Sequence, residues 1–517
     1  MDELKETYRQ ISRASIIIIV LTLADKLLGI IKEMLVAKHF GISAALDVFN
    51  IAYAFPSIAF LIFTGAIAGS FVPLYMEWSN RLPKQQANAY ALSLIFAAVL
   101  LFGLITLAGY FLSPVLFPLL GYGFGPDEKQ MGIVLERFLV FLFFFEGAGI
   151  FLYSLLQAQK KFFSLQLAQV FITATIIVLL VLFYEKLGIY TLVWGFLLGT
   201  CFKVLYMAVV LHKGGFSFFT APCFDRSVLQ RFSFLALPLL GSALIANVNL
   251  LVDQIMATSL CEGSVSTLRY AYRLNDFPIQ IIILAIAKAI FPFVSEQAIN
   301  DDYAGLQDVF KQGLIFLGLL TFPIIAMVGL FSENIVSIVF ERGAFDAFAV
   351  RQTAQTFLFY NFGLFFYAYS FVNGTFFSAL QDTKPMFYMG LVSVVLNIVF
   401  NIIFMQIFGV QGIALSTTLS LAIICVVFFL LLKRKLKFSH FSNIFYNLGR
   451  ILIAALGMFG IGFVLHRLCR SLDIHHFVYL PVLIVLLGAC YLLALRILRT
   501  KELDFYLGFV GRILRPG

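Results

Sequence analysis

Long apolar segments follow one another along almost the whole of this sequence. An α-helix needs about 20 apolar residues to cross the hydrocarbon core of a bilayer. Fourteen segments reach that length, at residues 14–38, 46–76, 90–113, 131–157, 163–184, 188–211, 233–260, 266–297, 309–331, 354–380, 386–408, 411–432, 447–466 and 476–498. Because backbone polar groups inside a bilayer must be satisfied within the protein, these segments predict an all-α polytopic membrane protein with 14 transmembrane helices.

The composition agrees with this class and excludes a soluble globular protein. Of the 517 residues, 61% are hydrophobic and 12% are charged, and a water-soluble fold has no use for that much apolar surface. A net charge of +9 is also found in nucleic-acid-binding proteins, but here the basic residues concentrate on one side. With a cytoplasmic N-terminus, the inner connections and termini hold 19 Lys and Arg, and the outer connections hold 6. The positive-inside rule therefore predicts two cytoplasmic termini and no nucleic-acid partner.

The sequence repeats itself with a period near 222 residues. The Ala-Phe-Pro at 54–56 matches the Asp-Phe-Pro at 276–278, an offset of 222, and the Leu-Gly-Ile at 187–189 matches the Phe-Gly-Val at 408–410, an offset of 221. Six segments separate the copies, so both have the same orientation and are related by an axis along the membrane normal. The repeat predicts two pseudo-symmetric six-helix lobes, formed by helices 1–6 and 7–12, around a central cavity.

The repeat also predicts the domain boundaries. We expect an N-terminal six-helix lobe at 1–215, a C-terminal six-helix lobe at 216–437, an extra helix pair 13–14 at 438–498 and a basic amphipathic tail at 499–517. Two lobes related in this way are typical of alternating access, in which the lobes rock about a central site. A simple pore would not require them.

The first apolar segment carries a narrow charged stripe. At about 100° per residue, Asp25, Lys26, Lys32 and Glu33 fall within an arc of about 120°, and apolar side chains fill the rest of the circle. A charge at the bilayer centre costs on the order of 2.5–3.5 kcal/mol, so such residues face a wet cavity or each other. In one interpretation the four form a paired structural cluster, since each lysine lies seven residues from an acid. In the other they line the path of a solute, and the eighth segment favours that interpretation.

The eighth segment carries a second charged face. Arg269, Arg273 and Asp276 lie at positions i, i+4 and i+7, and Pro278 breaks the helix just beyond them. Arg269 is near the outer end, where it either joins the cavity or extends to the interface. Arg273 is deeper and indicates a cavity. Since a guanidinium matches a phosphate with two parallel hydrogen bonds, the two segments together predict a cationic site for a phosphorylated substrate.

A smaller polar set lies in other segments. Asp253 is a lone acid in the seventh segment, Asn397 and Asn401 share a face of the eleventh, and Thr417 lies in the twelfth. Carboxylate, amide and hydroxyl oxygens are ligands that suit a hard cation, so these residues are a candidate sodium site. An interhelical hydrogen-bond network is the alternative interpretation.

The remaining polar residues indicate no catalytic chemistry. The six cysteines lack C-x-x-C spacing and predict neither a disulfide framework nor a metal centre. The P-loop pattern G-x-x-x-x-G-K-[ST] does not occur, which argues against a built-in ATPase. Glu136 is expected at the membrane interface, Glu146 is expected to face a cavity, and Lys203 has no assigned role. The chain is therefore predicted not to be an enzyme.

Several stretches resemble one known family. They are Gly-x-x-Lys-Glu-x-x-x-Ala-x-x-Phe-Gly at 29–41 with Leu-Asp-Val-Phe at 46–49, Tyr-Ala-Tyr-Arg-Leu-x-x-Phe-Pro at 270–278, Phe-Glu-Arg-Gly-Ala-Phe-Asp at 340–346 and Ala-Leu-Gln-Asp-Thr-Lys-Pro at 379–385. Together they resemble the MurJ (MviN) family of the multidrug/oligosaccharidyl-lipid/polysaccharide exporter superfamily. The resemblance implies a multi-pass protein of the bacterial cytoplasmic membrane. It would flip lipid II, the undecaprenyl-diphosphate-linked peptidoglycan precursor, by alternating access without ATP.

The resemblance also implies which residues bind the substrate. The family's essential basic residues of the first helix correspond to Lys26 and Lys32, and the acid beside the second corresponds to Glu33. Its second-helix aspartate corresponds to Asp47, and its eighth-helix arginine to Arg273. The first-helix positions are usually arginine in the family, and both are lysine here. This departure leaves open a different lipid-linked glycan.

The expected partners follow from the same resemblance. They are lipid II or a related undecaprenyl-diphosphate glycolipid, the lipid bilayer and cell-wall synthesis proteins, with sodium or the membrane potential as driving force. A flippase for a capsule, O-unit or teichuronic-type lipid-linked oligosaccharide is the alternative within transporters. A multidrug antiporter would need twelve segments and an acidic cavity. A non-transporting cell-wall membrane scaffold is the alternative from another class, but it has no need for charged stripes inside the membrane.

Overall fold

The computed structural model describes residues 21, 24–300, 302–382, 384–436, 442–472 and 476–498, with the backbone alone at 246, 283–289, 291–292, 442 and 476–478. Within these residues the chain is helical and has no strand. Helix α1 covers 24–40. Sixteen helices follow: α2 (Ala44–Arg81), α3 (Lys84–Leu120), α4 (Pro126–Leu139), α5 (Phe141–Ala158), α6 (Phe162–Leu187), α7 (Tyr190–Lys213), α8 (Arg226–Ala257), α9 (Ser264–Ala289), α10 (Phe291–Ile299), α11 (Tyr303–Phe340), α12 (Ala347–Phe362), α13 (Leu364–Ala379), α14 (Lys384–Phe408), α15 (Val410–Lys435), α16 (Ser442–Ser471) and α17 (His476–Ile497).

These helices follow the predicted apolar segments closely. Each segment overlaps one helix or two consecutive helices. Three segments are divided: α4 and α5 separate at Val140, α9 and α10 at Ile290, and α12 and α13 at Gly363. Among the described residues, 11 helices are long and apolar enough to cross a membrane. The all-α membrane class is confirmed, and the count of fourteen spans stays a prediction.

The backbone preserves the sequence repeat. Two described residues other than glycine have a positive φ, Lys160 at 57° and Gln381 at 53°. Each ends a helix, and its N–H donates to the carbonyl three residues earlier. A left-handed residue at this position is usually glycine, so the same exception at an offset of 221 marks equivalent turns. Gly188 and Gly409 repeat a second left-handed turn at the same offset, with φ of 52° and 60°.

The chain forms two compact units. The first contains the described residues up to Ser266 together with Arg342–Asp346, and the second contains Thr267–Glu341 and the described residues from Ala347 onward. The predicted lobe boundary lies earlier, after residue 215. The difference arises because α8 packs within the first unit, where the Phe232 ring lies 5.7 Å from that of Phe151 in α5. The predicted lobes stay a prediction, and the tail at 499–517 lies outside the described residues.

The core of the first unit is aromatic and closely packed. Phe71, Phe102, Phe143 and Phe151 are buried in one cluster contributed by α2, α3 and α5. Gly147 of α5 allows this approach, because a Cβ there would lie 2.6 Å from the Phe102 side chain. Since lipid is as apolar as these side chains, close packing rather than removal from water holds such helices together.

The second unit has its own core and carries the extra helix pair. Phe310, Leu364, Val372 and Phe376 belong to a cluster formed mainly by α11, α13 and α15. Helices α16 and α17 pack against α11, and the Tyr491 hydroxyl donates to the Leu319 carbonyl over 3.1 Å. The pair is therefore fixed to this unit by both apolar packing and a backbone-directed hydrogen bond.

Candidate functional site

The charged stripe of α1 contains a partly buried ion pair. The Lys32 Nζ lies 2.8 Å from the Glu33 Oε1, and the two side chains are 13% and 14% exposed. The ammonium also lies 5.9 Å from the centre of the Phe196 ring of α7, and Tyr53 of α2 packs against the same ring at 4.2 Å. An acid and an aromatic face thus stabilise this cation inside the first unit, and both contacts hold the ammonium in place.

The other end of the stripe is more accessible. Lys26 is exposed, Asp25 is half-buried, and the neighbouring Leu27 is also exposed. An ammonium this far inside an apolar helix is tolerated where water or an anion reaches it. The stripe therefore combines one cation held by protein groups with one that is open to a ligand.

Asp47 of α2 is buried against the start of α9. Its Oδ2 accepts a hydrogen bond from the Gly263 N–H at 2.8 Å, and its Oδ1 accepts from the Ser266 N–H at 2.7 Å and from the Ser266 hydroxyl. Asn50, one turn further along α2, donates to the same hydroxyl oxygen at 3.2 Å. The first N–H groups of a helix have no partner within it, so Asp47 caps α9 from outside. The geometry gives it a structural role, and substrate binding by Asp47 stays a prediction.

The contact is reciprocal. Glu262, just before α9, accepts a hydrogen bond through its Oε1 from the Ala44 N–H at the start of α2, at 2.9 Å. Ala44 and Ser266 correspond to each other at the repeat offset of 222. The two helices that are equivalent in the repeat therefore hold each other's N-termini, and each acid lies at the positive end of the helix it caps.

Helix α9 separates an exposed charged side from a buried polar side. Arg273 is exposed, and Arg269 and Asp276 are half-buried. On the buried side, the Asn275 Oδ1 accepts a hydrogen bond from the Asn361 Nδ2 of α12 at 3.3 Å. The sharing of one face by Arg269, Arg273 and Asp276 stays a prediction.

Part of the candidate sodium set is connected within the second unit. The Asn397 Nδ2 donates to the Thr417 Oγ1 at 3.3 Å, and the Asn401 Nδ2 donates to the Asn397 Oδ1 at 3.2 Å. Both asparagines are buried. Asp253 belongs to the first unit and is also buried. The sodium site stays a prediction.

The first unit contains a buried ion pair that the sequence does not predict. The Lys203 ammonium of α7 donates to the Glu146 carboxylate of α5, and both side chains are almost inaccessible. The expectation that Glu146 faces a cavity is therefore corrected: its partner is a helix of the same unit. At the repeat offset of 222, Lys203 corresponds to Cys425, whose Sγ lies 3.4 Å from the Ser370 Oγ of α13. In each half of the repeat a polar contact thus joins the equivalent pair of helices, α5 with α7 and α13 with α15, and the contact between α5 and α7 is ionic.

Glu136 is more buried than its position in the sequence suggests. Its side chain is fully buried and neither carboxylate oxygen has a hydrogen-bond partner among the described residues. Its expected location at the membrane interface stays a prediction. The reason for the burial is the length of α3, which continues to Leu120 and covers α4. A Cβ placed at Gly132, one turn before Glu136, would overlap the Phe117 ring of α3. A single acid in a segment of mixed polarity does not indicate that another helix covers it.

Comparison with known protein families decides the identity. The family model described as "Lipid II flippase MurJ" matches residues 36–482. This chain belongs to the MurJ family. A probable lipid II flippase MurJ of Borreliella burgdorferi is 24% identical over 442 residues, covering 85% of this chain and 87% of the relative. That of Buchnera aphidicola subsp. Schizaphis graminum is 26% identical over 500 residues, covering 94% and 96%.

Solved structures agree with the MurJ fold. "Lipid II flippase MurJ, inward closed conformation" superposes with a TM-score of 0.79 at 24% identity, covering 94% of this chain and 99% of the other. An inward-facing multidrug resistance MATE family transporter of the MOP superfamily gives a TM-score of 0.70 at 15% identity, covering 80% of this chain and 94% of the other. At these identities the likeness concerns the fold alone.

Proposed function

We propose that this MurJ-family chain moves lipid II from the inner to the outer leaflet of the bacterial cytoplasmic membrane by alternating access. The headgroup of this lipid carries a diphosphate, a polyanion that cannot cross hydrocarbon without groups that replace its hydration water. The family assignment supports the substrate, and the charged residues of α1 and α9 support the means of binding it.

The observation that carries the proposal is the charged stripe of α1. It keeps Lys26 exposed while Glu33 and the Phe196 ring hold Lys32. In α9, Arg273 adds an exposed guanidinium with the planar geometry that suits a phosphate. Asp25, Asp276 and Glu33 would partner the cations when no substrate is bound, because an unpaired charge away from water is costly.

Alternating access gives the reciprocal caps of α2 and α9 a role. The caps join helices from the two halves of the repeat. With both termini in the cytoplasm, as the positive-inside rule predicts, they would lie on the outer side. An outward-open state that separates these helix ends would break the bonds of Asp47 and Glu262. Those bonds then favour the state in which the outer side is closed.

Sodium or the membrane potential is the proposed driving force. The candidate sodium ligands are Asp253, Asn397, Asn401 and Thr417, whose oxygens suit a hard cation. Each charge that moves through the membrane field contributes about 2.3 kcal/mol per 100 mV. This is enough to bias a cycle that ATP does not drive.

The protein is a multi-pass membrane protein of a bacterial family. We propose that both termini face the cytoplasm, on the basis of the 19 inner and 6 outer basic residues. Lipid II is the proposed partner within the bilayer, and cell-wall synthesis proteins are proposed partners beyond it. The basic residues of the tail, which lies outside the described residues, suit the anionic inner membrane surface.

Complementation tests the proposed substrate. A bacterium depleted of its own lipid II flippase would express the wild-type chain, Lys32→Ala or Arg273→Ala at matched membrane levels. Growth with the wild type and failure with both variants would support lipid II transport through these cations. A well-expressed wild type that does not restore growth would contradict lipid II as the substrate and favour another lipid-linked glycan.

A further inference from the structure

The turn of α9 that carries Arg273 is intrinsically weak. Pro278 lies within α9, and a proline has no N–H to donate to the carbonyl four residues earlier, here that of Leu274. Helices bend and rotate most easily at such positions. The direction in which Arg273 points therefore depends on what holds this turn from outside.

Helix α12 supplies that support on the side away from Arg273. Asn275 lies two residues after Arg273, which places the two side chains about 160° apart around the helix. The Asn275 Oδ1 accepts the hydrogen bond from the Asn361 Nδ2 at 3.3 Å, and the Tyr272 ring meets the Tyr360 ring edge-on at 5.9 Å. Two consecutive residues of α12 thus hold the turn just before the proline.

The end of α12 is itself fixed to a third helix. The Thr418 hydroxyl of α15 donates to the Phe359 carbonyl at 2.8 Å. A Cβ at Gly363, where α12 ends, would lie 2.7 Å from the same hydroxyl oxygen. Asn361 lies between these two contacts and is completely buried. It therefore belongs to an end of α12 that is packed against α15.

The polar nature of Asn361 is costly for the fold. Its Oδ1 is buried and has no hydrogen-bond partner among the described residues. A buried amide oxygen without a donor lowers stability compared with an apolar side chain of similar shape. The hydrogen bond to Asn275 is therefore the one polar contact that this side chain makes among the described residues.

We propose that Asn361 is a positioning residue for substrate binding. It fixes the rotation of the α9 turn through Asn275, and so sets where Arg273 presents its guanidinium to the diphosphate of a prenyl-linked headgroup. This inference rests on the proposed function, in which Arg273 is a phosphate ligand. Asn361 itself does not touch the substrate.

The experiment measures binding of farnesyl diphosphate to the full-length protein in detergent, together with thermal unfolding. Its variants are Arg273→Ala, Asn361→Leu, Asn275→Leu and the double variant Asn275→Leu/Asn361→Leu. Asn373→Leu is the matched control, because Asn373 is equally buried in the adjacent α13. If Asn361→Leu does not fold, Asn361→Ser shortens the side chain and keeps it polar.

We expect Asn361→Leu to weaken binding about tenfold, with the double variant no weaker than either single one, because both residues act through one contact. Asn373→Leu should bind within about twofold of the wild type. Wild-type affinity in Asn361→Leu, or equal losses in Asn361→Leu and Asn373→Leu, would overturn the inference. A normal affinity in Arg273→Ala would instead show that the proposed phosphate ligand is wrong, and the inference would fall with it.

Discussion

The Asp47 carboxylate of α2 accepts a hydrogen bond from the Ser266 N–H of α9 at 2.7 Å, across 219 positions of sequence. No local pattern in the sequence of either helix indicates this bond. It joins the two helices that correspond in the internal repeat, and it makes the start of α9 dependent on the start of α2. This contact stabilises the start of α9, and in the proposed transport cycle it would break in the outward-open state.

Asp47→Ala should lower stability through its effect on α9. The change leaves two buried N–H groups without acceptors, and such a loss costs about 1–3 kcal/mol. Thermal unfolding in detergent measures the loss of stability. Asp47→Asn keeps one acceptor and should lose less. Asp225→Ala removes an exposed cap of α8 and serves as the control, with a smaller loss. Equal stability of Asp47→Ala and the wild type would contradict the cap.

The buried Glu146–Lys203 pair predicts a strong coupling between two substitutions. Glu146→Gln or Lys203→Met alone leaves one buried charge without its partner, which costs about 3–5 kcal/mol. The double variant removes both charges and should recover most of the stability. Chemical denaturation of the three variants gives the coupling energy. Strictly additive losses would mean that the two side chains do not interact.

Gly147 predicts the effect of a single methyl group. Gly147→Ala should destabilise the first unit by about 1–3 kcal/mol, the usual cost of overpacking, because the added carbon would lie 2.6 Å from Phe102. Gly65→Ala is the matched control, since no atom lies within 4 Å of a Cβ at that position of α2. Thermal unfolding compares the two. A larger loss in Gly65→Ala would contradict the packing described here.

The candidate sodium site predicts a cation-specific stabilisation. At a hundredfold excess over the Kd, a ligand that binds the folded state adds about 2.7 kcal/mol, so sodium should raise the Tm of the wild type more than potassium does. Asp253→Asn should abolish that difference. Asp308→Asn, which changes an exposed acid of α11, should keep it. A wild type with the same Tm in both salts would leave the site without support.

The sequence predicted the helical architecture well because its signals are local. Apolar segments of sufficient length define the spans, and the turns at Lys160 and Gln381 repeat with the offset read from the sequence. The division of the fourth segment at Val140 was not predicted, since no glycine or proline marks it. The equivalent division at Gly363 has a glycine, but nothing in the sequence shows that Thr418 lies against it.

The candidate site was predictable as a set of charges and not as a set of contacts. The stripe of α1 is visible from helical periodicity, and Lys32 and Glu33 are neighbours in the chain. The caps of Asp47 and Glu262 join residues more than 200 positions apart, and Glu146 meets Lys203 across two different helices. Only the arrangement of helices determines such partners. Local patterns in the sequence do not reveal that arrangement.

Transport of lipid II through the cations of α1 and α9 can be measured as the arrival of the lipid in the outer leaflet. Cells depleted of their own flippase would express this chain, and an externally added enzyme that cleaves the lipid II headgroup would report how much lipid has crossed. Cleavage is expected with the wild type and with Lys129→Ala, which changes a lysine in the first turn of α4. With Lys32→Ala or Arg273→Ala we expect less than about a tenth of it, since each removes a charge-assisted contact. Wild-type cleavage with both of the latter variants would contradict transport through the cations of α1 and α9.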